Sequence, residues 1–201
     1  MEDKSLAESA IVEQNVTIGF ETKVWHLAHI RSGVTIGNNC TIGSNVFLDI
    51  GVSIGNSCKI QNNSQIFSPA KIHDGVFVGP GVILTNDRYP RSINEDSSVK
   101  KNSDWEKTGV EVMYGASIGA GAICIAPIKI GTWALIAAGS VVSSDVPDYA
   151  FMMGIPARQY GWVGKTGKKL KELGGNLFTC EITRDVFKIS NGIMEPLNET
   201  N

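Results

Sequence analysis

The sequence predicts an all-β chain wound into a parallel β-helix, and three periodic observations favour this fold class. Sampled every sixth residue from Ile18 to Leu84, the chain has a large aliphatic residue at all twelve positions. The residue two places before each sample is small or β-branched, and glycine often follows the sample. A period of six fits neither the turn of an α-helix nor an irregular hairpin meander. Such repeats stack as the coils of a solenoid.

Three short strands would form one triangular coil, so residues 18 positions apart should stack about 4.8 Å apart on one face. The outward residue precedes each aliphatic sample. The first face reads Thr17, Thr35, Ser53, Lys71; the second reads Lys23, Thr41, Lys59, Phe77; the third reads His29, Phe47, Gln65, Ile83. The first face is typical of a solvated surface, whereas the third is apolar enough to predict a buried contact.

Residues 1–15 form a polar, acidic lead-in, in which Ile11 and Val12 are expected to cover the open end of the first coil. The lead-in lacks the basic and apolar regions of a signal peptide, so a cytoplasmic location is expected. The 18 Lys and Arg residues nearly balance the 20 Asp and Glu residues, and no apolar run is long enough to span a membrane. This balance argues against nucleic-acid or membrane partners.

Residues 85–109 interrupt the period. The aliphatic register resumes at Val112, which indicates 22 inserted residues. Long loops that leave a rigid scaffold at a corner are often functional, although a mobile surface loop is the plainer interpretation. If the loop replaces one corner, residues 110–147 continue all three faces.

The outward residues of this second block support a single insertion. Glu111 and Lys129 extend the polar first face, and Ile123 and Val141 extend the apolar third face. A continuous apolar face on a prism requires a partner. A closed ring of three identical prisms would bury that face in every subunit, so a homotrimer is predicted.

The tail, residues 148–201, has a different composition. Pro147 and Pro156 end the repeat, which places the β-helix at residues 16–147. Lys165 to Leu173 is predicted as a short basic helix and Thr179 to Ile189 as a strand. This short C-terminal α/β tail is expected to pack on the coils or on a neighbouring subunit.

Three of the four cysteines, Cys40, Cys58 and Cys124, fall on inward positions of the repeat, where a small apolar thiol packs well. A disulfide between Cys40 and Cys58 on adjacent coils is conceivable, but a cytoplasmic location favours reduced thiols. No CxxC pair is present, so no metal site is expected.

Six segments stand out from the plain repeat: Lys23-Val-Trp-His-Leu-Ala-His-Ile30, Lys59-Ile-Gln-Asn-Asn63, Val76-Phe-Val-Gly-Pro80, Thr85-Asn-Asp-Arg-Tyr-Pro-Arg91, Gly115-Ala-Ser-Ile-Gly119 and Gly154-Ile-Pro-Ala-Arg158. Together they resemble the nucleotide-sugar N-acetyltransferases of the left-handed β-helix (hexapeptide-repeat) acyltransferases. The resemblance implies left-handed winding, where physics alone favours a right-handed crossover. It also implies acetylation by acetyl-CoA of an amino group, at C3, on a UDP- or dTDP-linked sugar for surface polysaccharides or deoxysugar metabolites.

The chain departs from this pattern at two places. Phe67-Ser68-Pro69 stands where relatives with a UDP-linked acid often carry Tyr-Glu-Gly, and His73 stands where they often carry an acidic residue. The segment from Thr85 to Arg91 resembles the dTDP-deoxysugar relatives more closely. The identities of the sugar and of the nucleotide base therefore stay open.

Asn86 is the first catalytic candidate, because it resembles the family's active-site asparagine and lies where the loop departs. A turn asparagine is the structural alternative. His73 is the second candidate. It is level with Asn86 but at another corner, so it would meet Asn86 only across a subunit interface; the alternative is a plain exposed histidine.

Substrate candidates lie at two heights. Trp25, His26 and His29 are three coils below Asn86, about 14 Å away, which suits the nucleotide end of the substrate. Arginines match phosphate oxygens, which makes them diphosphate candidates. The full predicted set is Trp25, His26, His29, Arg31, Asn62, Asp87, Arg88 and Arg91.

Small residues in the second block resemble the family's CoA groove, since a pantetheine arm can lie against exposed backbone. Tight corners alone are the alternative. The predicted acetyl-CoA set is Gly115, Ala116, Ala120, Ala122, Ala137 and Ala138, with Arg158 and Lys165 beside the CoA phosphates.

Three other classes of protein share the β-helix fold. A γ-class carbonic anhydrase needs three histidines at one metal, but the histidines here lie at separated heights. A non-catalytic scaffold or ice binder would show long ladders of one outward residue type. An O-acetyltransferase of the same fold, acting on a hydroxyl of a small metabolite or sugar, is the main alternative.

Overall fold

A computed structural model describes residues 5–197, which contain 25 β-strands and no helix. In chain order the strands are β1 (Ile11–Val12), β2 (Thr17–Ile18), β3 (Lys23–Val24), β4 (His29–Ile30), β5 (Thr35–Ile36), β6 (Thr41–Ile42), β7 (Phe47–Leu48), β8 (Ser53–Ile54), β9 (Lys59–Ile60), β10 (Gln65–Ile66), β11 (Lys71–Ile72), β12 (Phe77–Val78), β13 (Ile83–Leu84), β14 (Val110–Val112), β15 (Ser117–Ile118), β16 (Ile123–Cys124), β17 (Ile128–Ile130), β18 (Leu135–Ile136), β19 (Val141–Val142), β20 (Ala150–Gly154), β21 (Ala157–Trp162), β22 (Lys171–Gly174), β23 (Leu177–Thr179), β24 (Val186–Ser190) and β25 (Ile193–Pro196).

The strands up to β20 form three parallel sheets, one on each face of a β-solenoid of about eight turns, consistent with a left-handed β-helix. The first face runs from β2 to β17, the second from β3 to β20, and the third from β1 to β19. In the two-residue strands from β3 to β19 the first residue points outward and the second, an aliphatic residue or Cys124, is buried. The inward positions from Val24 to Val142 form one continuous buried core. The predicted fold class is confirmed for this part of the chain.

The corner between the first and second faces shows why glycine follows the aliphatic residue. A Cβ on Gly37 would lie only 2.6 Å from Oδ1 of Asn56 in the next coil. That oxygen accepts a hydrogen bond of 2.8 Å from the backbone N–H of Asn38. Glycine therefore admits an asparagine side chain that satisfies a backbone donor of the neighbouring coil.

The loop insertion leaves the register of the coils intact. Lys71 pairs with Glu111 on the first face, and Ile83 pairs with Ile123 on the third. Both pairs are 40 residues apart, which is one 18-residue coil plus the 22 inserted residues. The predicted single insertion is confirmed.

The C-terminal tail differs from its prediction. The segment predicted as a basic helix, Lys165 to Leu173, instead forms a turn followed by strand β22, and Val163 bridges Lys169. Gly167 has a φ of +74°, a conformation that ends a helix and favours this hairpin. The predicted strand from Thr179 to Ile189 is likewise divided between β23 and β24 by a turn. The described part of the tail, which ends at residue 197, is all-β rather than α/β.

Strands β22 to β25 form a separate antiparallel sheet with its own small core. Tyr149 joins this core and packs edge-on against Phe187, with ring centroids 5.3 Å apart. Trp133, from the last coils, packs against the same cluster. Parallel pairing also continues to β20, where Phe151 pairs with Leu135, beyond the boundary predicted at residue 147.

All four cysteines are free and buried, as predicted for the three on the repeat. The Cys58 N–H donates to Sγ of Cys40 over 3.3 Å. The hydrogen bond with Cys40 and burial both raise the pKa of the Cys58 thiol. Burial raises the pKa of the Cys124 thiol to about 12. These thiols act as small core residues with weak donors.

Candidate active site

Asn86 follows β13 at the corner where the loop leaves the solenoid. Its backbone carbonyl accepts a hydrogen bond of 3.2 Å from the N–H of Thr108, which closes the two ends of the loop into a stem. The residue is half-buried, and no residue in the described range 5–197 hydrogen-bonds to its side-chain amide. Its φ is not positive, unlike that of Asn39, Asn45 and Asn63. The turn explanation for this asparagine therefore loses its main support.

The loop itself is anchored close to Asn86. Nη2 of Arg88 donates to the carbonyl of Ser143 over 3.1 Å, and Oδ1 of Asp87 accepts from the N–H of Tyr89 over 2.8 Å. Nη1 of Arg91 donates to the adjacent Pro90 carbonyl. Arg88 thus has a structural contact that its predicted phosphate role did not include, whereas the Arg91 side chain hydrogen-bonds, among the described residues, only within the loop.

His73 ends the first face in the coil of Asn86. Its Nε2 lies 3.0 Å from Oε1 of Glu111, a residue that the sequence reasoning did not assign to the site. The hydrogen bond from His73 is the main cause that lowers the pKa of Glu111, and Lys129 and Lys71 add to it. Both side chains remain 43% exposed, so a ligand can reach them.

The predicted nucleotide residues are distributed over the first coils. Nδ1 of His26 lies 2.9 Å from Oγ of Ser9, and an open cavity of about 530 Å³ adjoins Lys23, Trp25 and His26. Trp25 is half exposed. The cavity lies at the N-terminal end of the solenoid, well away from Asn86, as the coil count predicts.

His29 and Arg31 are held by carboxylates. Nε2 of His29 lies 2.9 Å from Oε1 of Glu13, and that hydrogen bond is the main cause that lowers the pKa of Glu13. Nη1 of Arg31 donates to Oδ1 of Asp49 over 2.8 Å, and its Nε lies 3.7 Å from Glu13. A phosphate at Arg31 would have to compete with both carboxylates.

Asn62 has a structural partner. Its Oδ1 accepts a hydrogen bond of 2.9 Å from the N–H of Ser44, in the same ladder pattern as Asn56. A Cβ on Gly43 would lie 2.6 Å from that oxygen. The residue is exposed, but its side-chain carbonyl already stabilises the neighbouring coil.

The predicted CoA residues separate into two groups. Ala120 and Ala138 are exposed on the corner between the second and third faces, beside half-buried Ala137. Ala116 and Ala122 are completely buried and point into the core. Gly115 is buried at another corner, where a Cβ would lie 2.7 Å from the Trp133 ring. Arg158 and Lys165 are exposed beyond the last coils.

The side chains of Ala116 and Ala122 are therefore unavailable to a ligand, and Gly115 lies under an aromatic ring. The cause is the alternation of the repeat, which directs every second small residue inward. The exposed strip is formed by positions with positive φ and no side chain, Gly81, Gly121 and Gly139, next to Ala120 and Ala138.

The described residues, 5–197, contain no group of three or more His, Cys, Asp or Glu side chains placed to hold a metal ion. They also contain no helix that is long and apolar enough to cross a membrane.

Two family models match the chain. The bacterial transferase hexapeptide model (six repeats) matches residues 10–49 and 51–86. The model of the hexapeptide repeat of succinyl-transferase matches residues 33–68 and 115–144. The matches cover most of both blocks of coils, and neither includes residues 87–114 or 145–201.

Two curated relatives match parts of the chain. The dTDP-3-amino-3,6-dideoxy-alpha-D-galactopyranose 3-N-acetyltransferase of Aneurinibacillus thermoaerophilus is 42% identical over 86 residues, which are 43% of this chain and 44% of that protein. The serine acetyltransferase of Buchnera aphidicola subsp. Schizaphis graminum is 31% identical over 111 residues, 53% of this chain and 38% of that protein. The chain thus matches less than half the length of either relative.

Among solved structures, a mutant of AntD, an N-acyltransferase from Bacillus cereus in complex with dTDP and coenzyme A, superposes with a TM-score of 0.58. The two chains are 17% identical, and the match covers 78% of this chain and 85% of that one. At this identity the likeness supports the fold.

Proposed function

We propose, from the premise that this chain carries the hexapeptide repeats of the bacterial transferases, that it acetylates the amino group, at C3, of a dTDP- or UDP-linked amino sugar with acetyl-CoA. The observation that carries this proposal is the half-buried Asn86, whose side-chain amide has no partner among the described residues at the stem of the loop. The relative named as a dTDP-3-amino-sugar 3-N-acetyltransferase supports the acceptor and its position.

The reaction requires the protein mainly to orient the amine and to stabilise the oxyanion. The sugar amine attacks the thioester carbonyl, a C–N bond forms, the C–S bond breaks, and the proton lost by nitrogen ends on the sulfur of CoA. An amine can arrive partly deprotonated, so orientation matters more than a strong base. The Asn86 carbonyl oxygen can accept from the amine, and its NH₂ group can donate to the developing oxyanion.

Acetyl-CoA, the nucleotide and the diphosphate bind at separate places on the surface. Acetyl-CoA lies along the exposed strip at Ala120 and Ala138, with Arg158 and Lys165 beside its phosphates. The nucleotide lies towards Trp25 and His26. The diphosphate meets Arg91, which has no acidic partner among the described residues.

The proposed assembly is a homotrimer in which His73 of one subunit approaches Asn86 of the next. The apolar third face, with Phe47, Ile83 and Ile123 on its outer side, is the surface that this assembly would bury. The cytoplasm, where acetyl-CoA and nucleotide sugars are available, stays the proposed location.

A CoA-release assay across UDP- and dTDP-linked 3-amino and 4-amino sugars tests the proposal. We expect turnover with one 3-amino sugar to exceed that with its 4-amino isomer at least tenfold. Mass spectrometry of the product should show one acetyl group on nitrogen. Absence of turnover with every amino sugar, by protein that binds acetyl-CoA, would overturn the proposed function.

O-acetyl transfer is the second candidate. A hydroxyl group is a far weaker nucleophile than an amine and needs a base, and the His73–Glu111 pair is the kind of group that supplies one. The similarity to a serine acetyltransferase points the same way. The same assay with serine and with sugars that carry hydroxyl in place of amine separates the two reactions.

A further inference from the structure

The two ends of the loop meet beside a polar atom that has no partner. Thr108 is the residue at which the chain returns to the coils, and its backbone N–H donates to the Asn86 carbonyl over 3.2 Å. Its side-chain oxygen, Oγ1, is buried from solvent, and no residue in the range 5–197 hydrogen-bonds to it. Of the buried side-chain nitrogen and oxygen atoms in that range, it is the one that lacks a partner.

A buried hydroxyl without a partner destabilises the fold. The group loses its hydrogen bonds to water on folding and gains none in return, so native proteins contain few such groups. Thr22, which is 1% exposed, shows the usual arrangement in this chain. Its hydroxyl donates to the Gly37 carbonyl over 2.7 Å and accepts from the Cys40 N–H over 2.9 Å. The unsatisfied hydroxyl in the loop stem therefore indicates a group that finds its partner in another state of the site.

The backbone beside Thr108 is closely packed, whereas its side chain can rotate. A Cβ on Gly109 would lie 2.8 Å from the carbonyl oxygen of Pro69, so the chain passes here in close contact with the coil below. Strand β14 then begins at Val110, which is buried. Thr108 as a whole is only half-buried, and rotation about χ1 exchanges the positions of its hydroxyl and its methyl group. The hydroxyl can therefore turn out of the stem while the coils stay in place.

A second hydroxyl without a partner lies at the same corner. Ser68 is 18 positions before Asn86, and it lies in the coil below, since β10 and β13 pair in register. Its backbone N–H donates to Oδ2 of Asp49 over 3.2 Å, but its half-buried hydroxyl has no hydrogen bond to any residue that the structure describes. The corner thus presents the Asn86 amide together with the hydroxyls of Ser68 and Thr108.

We propose that Thr108 and Ser68 bind the sugar hydroxyls that flank the amine of the acceptor, and that Thr108 turns its hydroxyl out of the stem when the sugar binds. This inference rests on the proposed function and deepens it. A 3-amino pyranose carries its neighbouring substituents at C2 and C4. A hydroxyl group both donates and accepts, so threonine and serine match sugar hydroxyls without a change in charge. Asn86 then receives the amine between them.

Thermal denaturation of Thr108→Val tests the premise. Valine keeps the shape of threonine and removes the hydroxyl, which has no partner to lose in the free protein. We therefore expect the melting temperature to stay level or to rise. Thr22→Val is the matched control, because the same change there removes a hydroxyl with two partners and should lower the melting temperature. An equal fall in both variants would show that the Thr108 hydroxyl is structural, and would overturn the inference.

Steady-state kinetics test the contact with the sugar. Thr108→Val should raise the KM for the amino sugar about fivefold or more and leave the KM for acetyl-CoA within about twofold. Thr108→Ser keeps the hydroxyl and should recover most of this loss, whereas Thr22→Val should leave both constants unchanged. With an acceptor that lacks the matching hydroxyl, at C2 or at C4, wild type and Thr108→Val should have equal kcat/KM.

Binding can also be measured without turnover. The nucleotide-linked amino sugar alone should raise the melting temperature of wild type more than that of Thr108→Val. Unchanged kinetics in Thr108→Val, with wild type active on an amino sugar, would overturn this inference and leave the function standing. A loss of the same size on acceptors with and without the C2 and C4 hydroxyls would do the same. Wild-type protein that binds acetyl-CoA but acetylates no amino sugar would overturn the function and this inference together.

Discussion

Asparagines of this chain fall into groups that only their surroundings distinguish. Asn38, Asn56 and Asn62 use Oδ1 to accept a backbone N–H of the preceding coil. Asn45 and Asn63 adopt positive φ at the corners. Asn86 does neither. Its amide is therefore available for a ligand, whereas the same group elsewhere stabilises the coils.

The first prediction concerns this residue. Asn86→Ala should lower kcat/KM for the amino sugar about 100-fold, because one oriented donor and acceptor beside the reacting carbonyl is lost. The melting temperature should not fall, since no described residue depends on that amide. Steady-state kinetics and thermal denaturation measure the two effects.

Asn56→Ala is the control for this variant. Its Oδ1 accepts from the Asn38 N–H over 2.8 Å, so its loss should cost about 1 kcal/mol of stability and leave kcat unchanged. Near-normal turnover by Asn86→Ala would remove that residue from the mechanism.

Single residues were predicted less well than the periodic pattern around them. The sequence offered Asn86 and His73 as candidates, but it did not point to Glu111, whose contact with His73 depends on where the chain returns from the loop. It also treated Ala116 and Ala122 as groove residues, although the alternation of the repeat directs them inward. Composition suggested the groove, whereas the position within the hexad determines which alanines face it.

At the scale of elements, the coils were predictable because one period specifies strand, face and register together. The insertion was predictable for the same reason, since the 40-residue spacing of Lys71 and Glu111 follows from resumed aliphatic sampling. The tail has no such period. Its basic residues suggested a helix, but glycine at 164 and 167 and the Val163–Lys169 bridge favour a hairpin.

The second prediction compares two corner glycines. Gly115 and Gly121 have nearly the same φ, +67° and +66°, so alanine at either position carries a similar backbone penalty of about 1 kcal/mol. A Cβ at Gly115 would also lie 2.7 Å from the Trp133 ring, whereas no atom of the described residues would lie within 4 Å of a Cβ at Gly121. Gly115→Ala should therefore lose about 1–3 kcal/mol more in free energy of unfolding.

Urea denaturation of the two variants measures this difference. Equal losses in the free energy of unfolding would show that the Trp133 ring moves aside without loss of stability. The packing of the last coils against the C-terminal sheet would then be looser than the contact distances indicate.

At the scale of the whole molecule, the third face gives the third prediction. Light scattering at micromolar concentration should give three times the mass of the 201-residue chain. Ile123→Lys places a charge at an outward position of that face and should dissociate the assembly while the coils stay folded. Lys59→Ala, on the second face, serves as the control and should not change the mass. A wild-type monomer would overturn the proposed interface.

The fourth prediction tests whether two subunits share one site. Asn86→Ala and His73→Ala are each expected to be nearly inactive. If the chains are unfolded and refolded together in equal amounts, three quarters of the trimers are mixed, and each mixed trimer has one intact site of three. About a quarter of wild-type activity should return. No recovery, with mixed trimers demonstrated by tagged chains, would place both residues in one subunit or remove one of them from the site.

The corner after β13 has a consequence for how such chains can change. Every coil is held by contacts with the coils above and below it. The register of the solenoid therefore depends on where the chain rejoins the coils after the loop, and not on the length of the loop. The segment between Asn86 and Thr108 can therefore change in length, provided that Val112 still pairs with Ile72. Insertion or recombination can therefore change the loop while the coils keep each side chain at the same height along the axis.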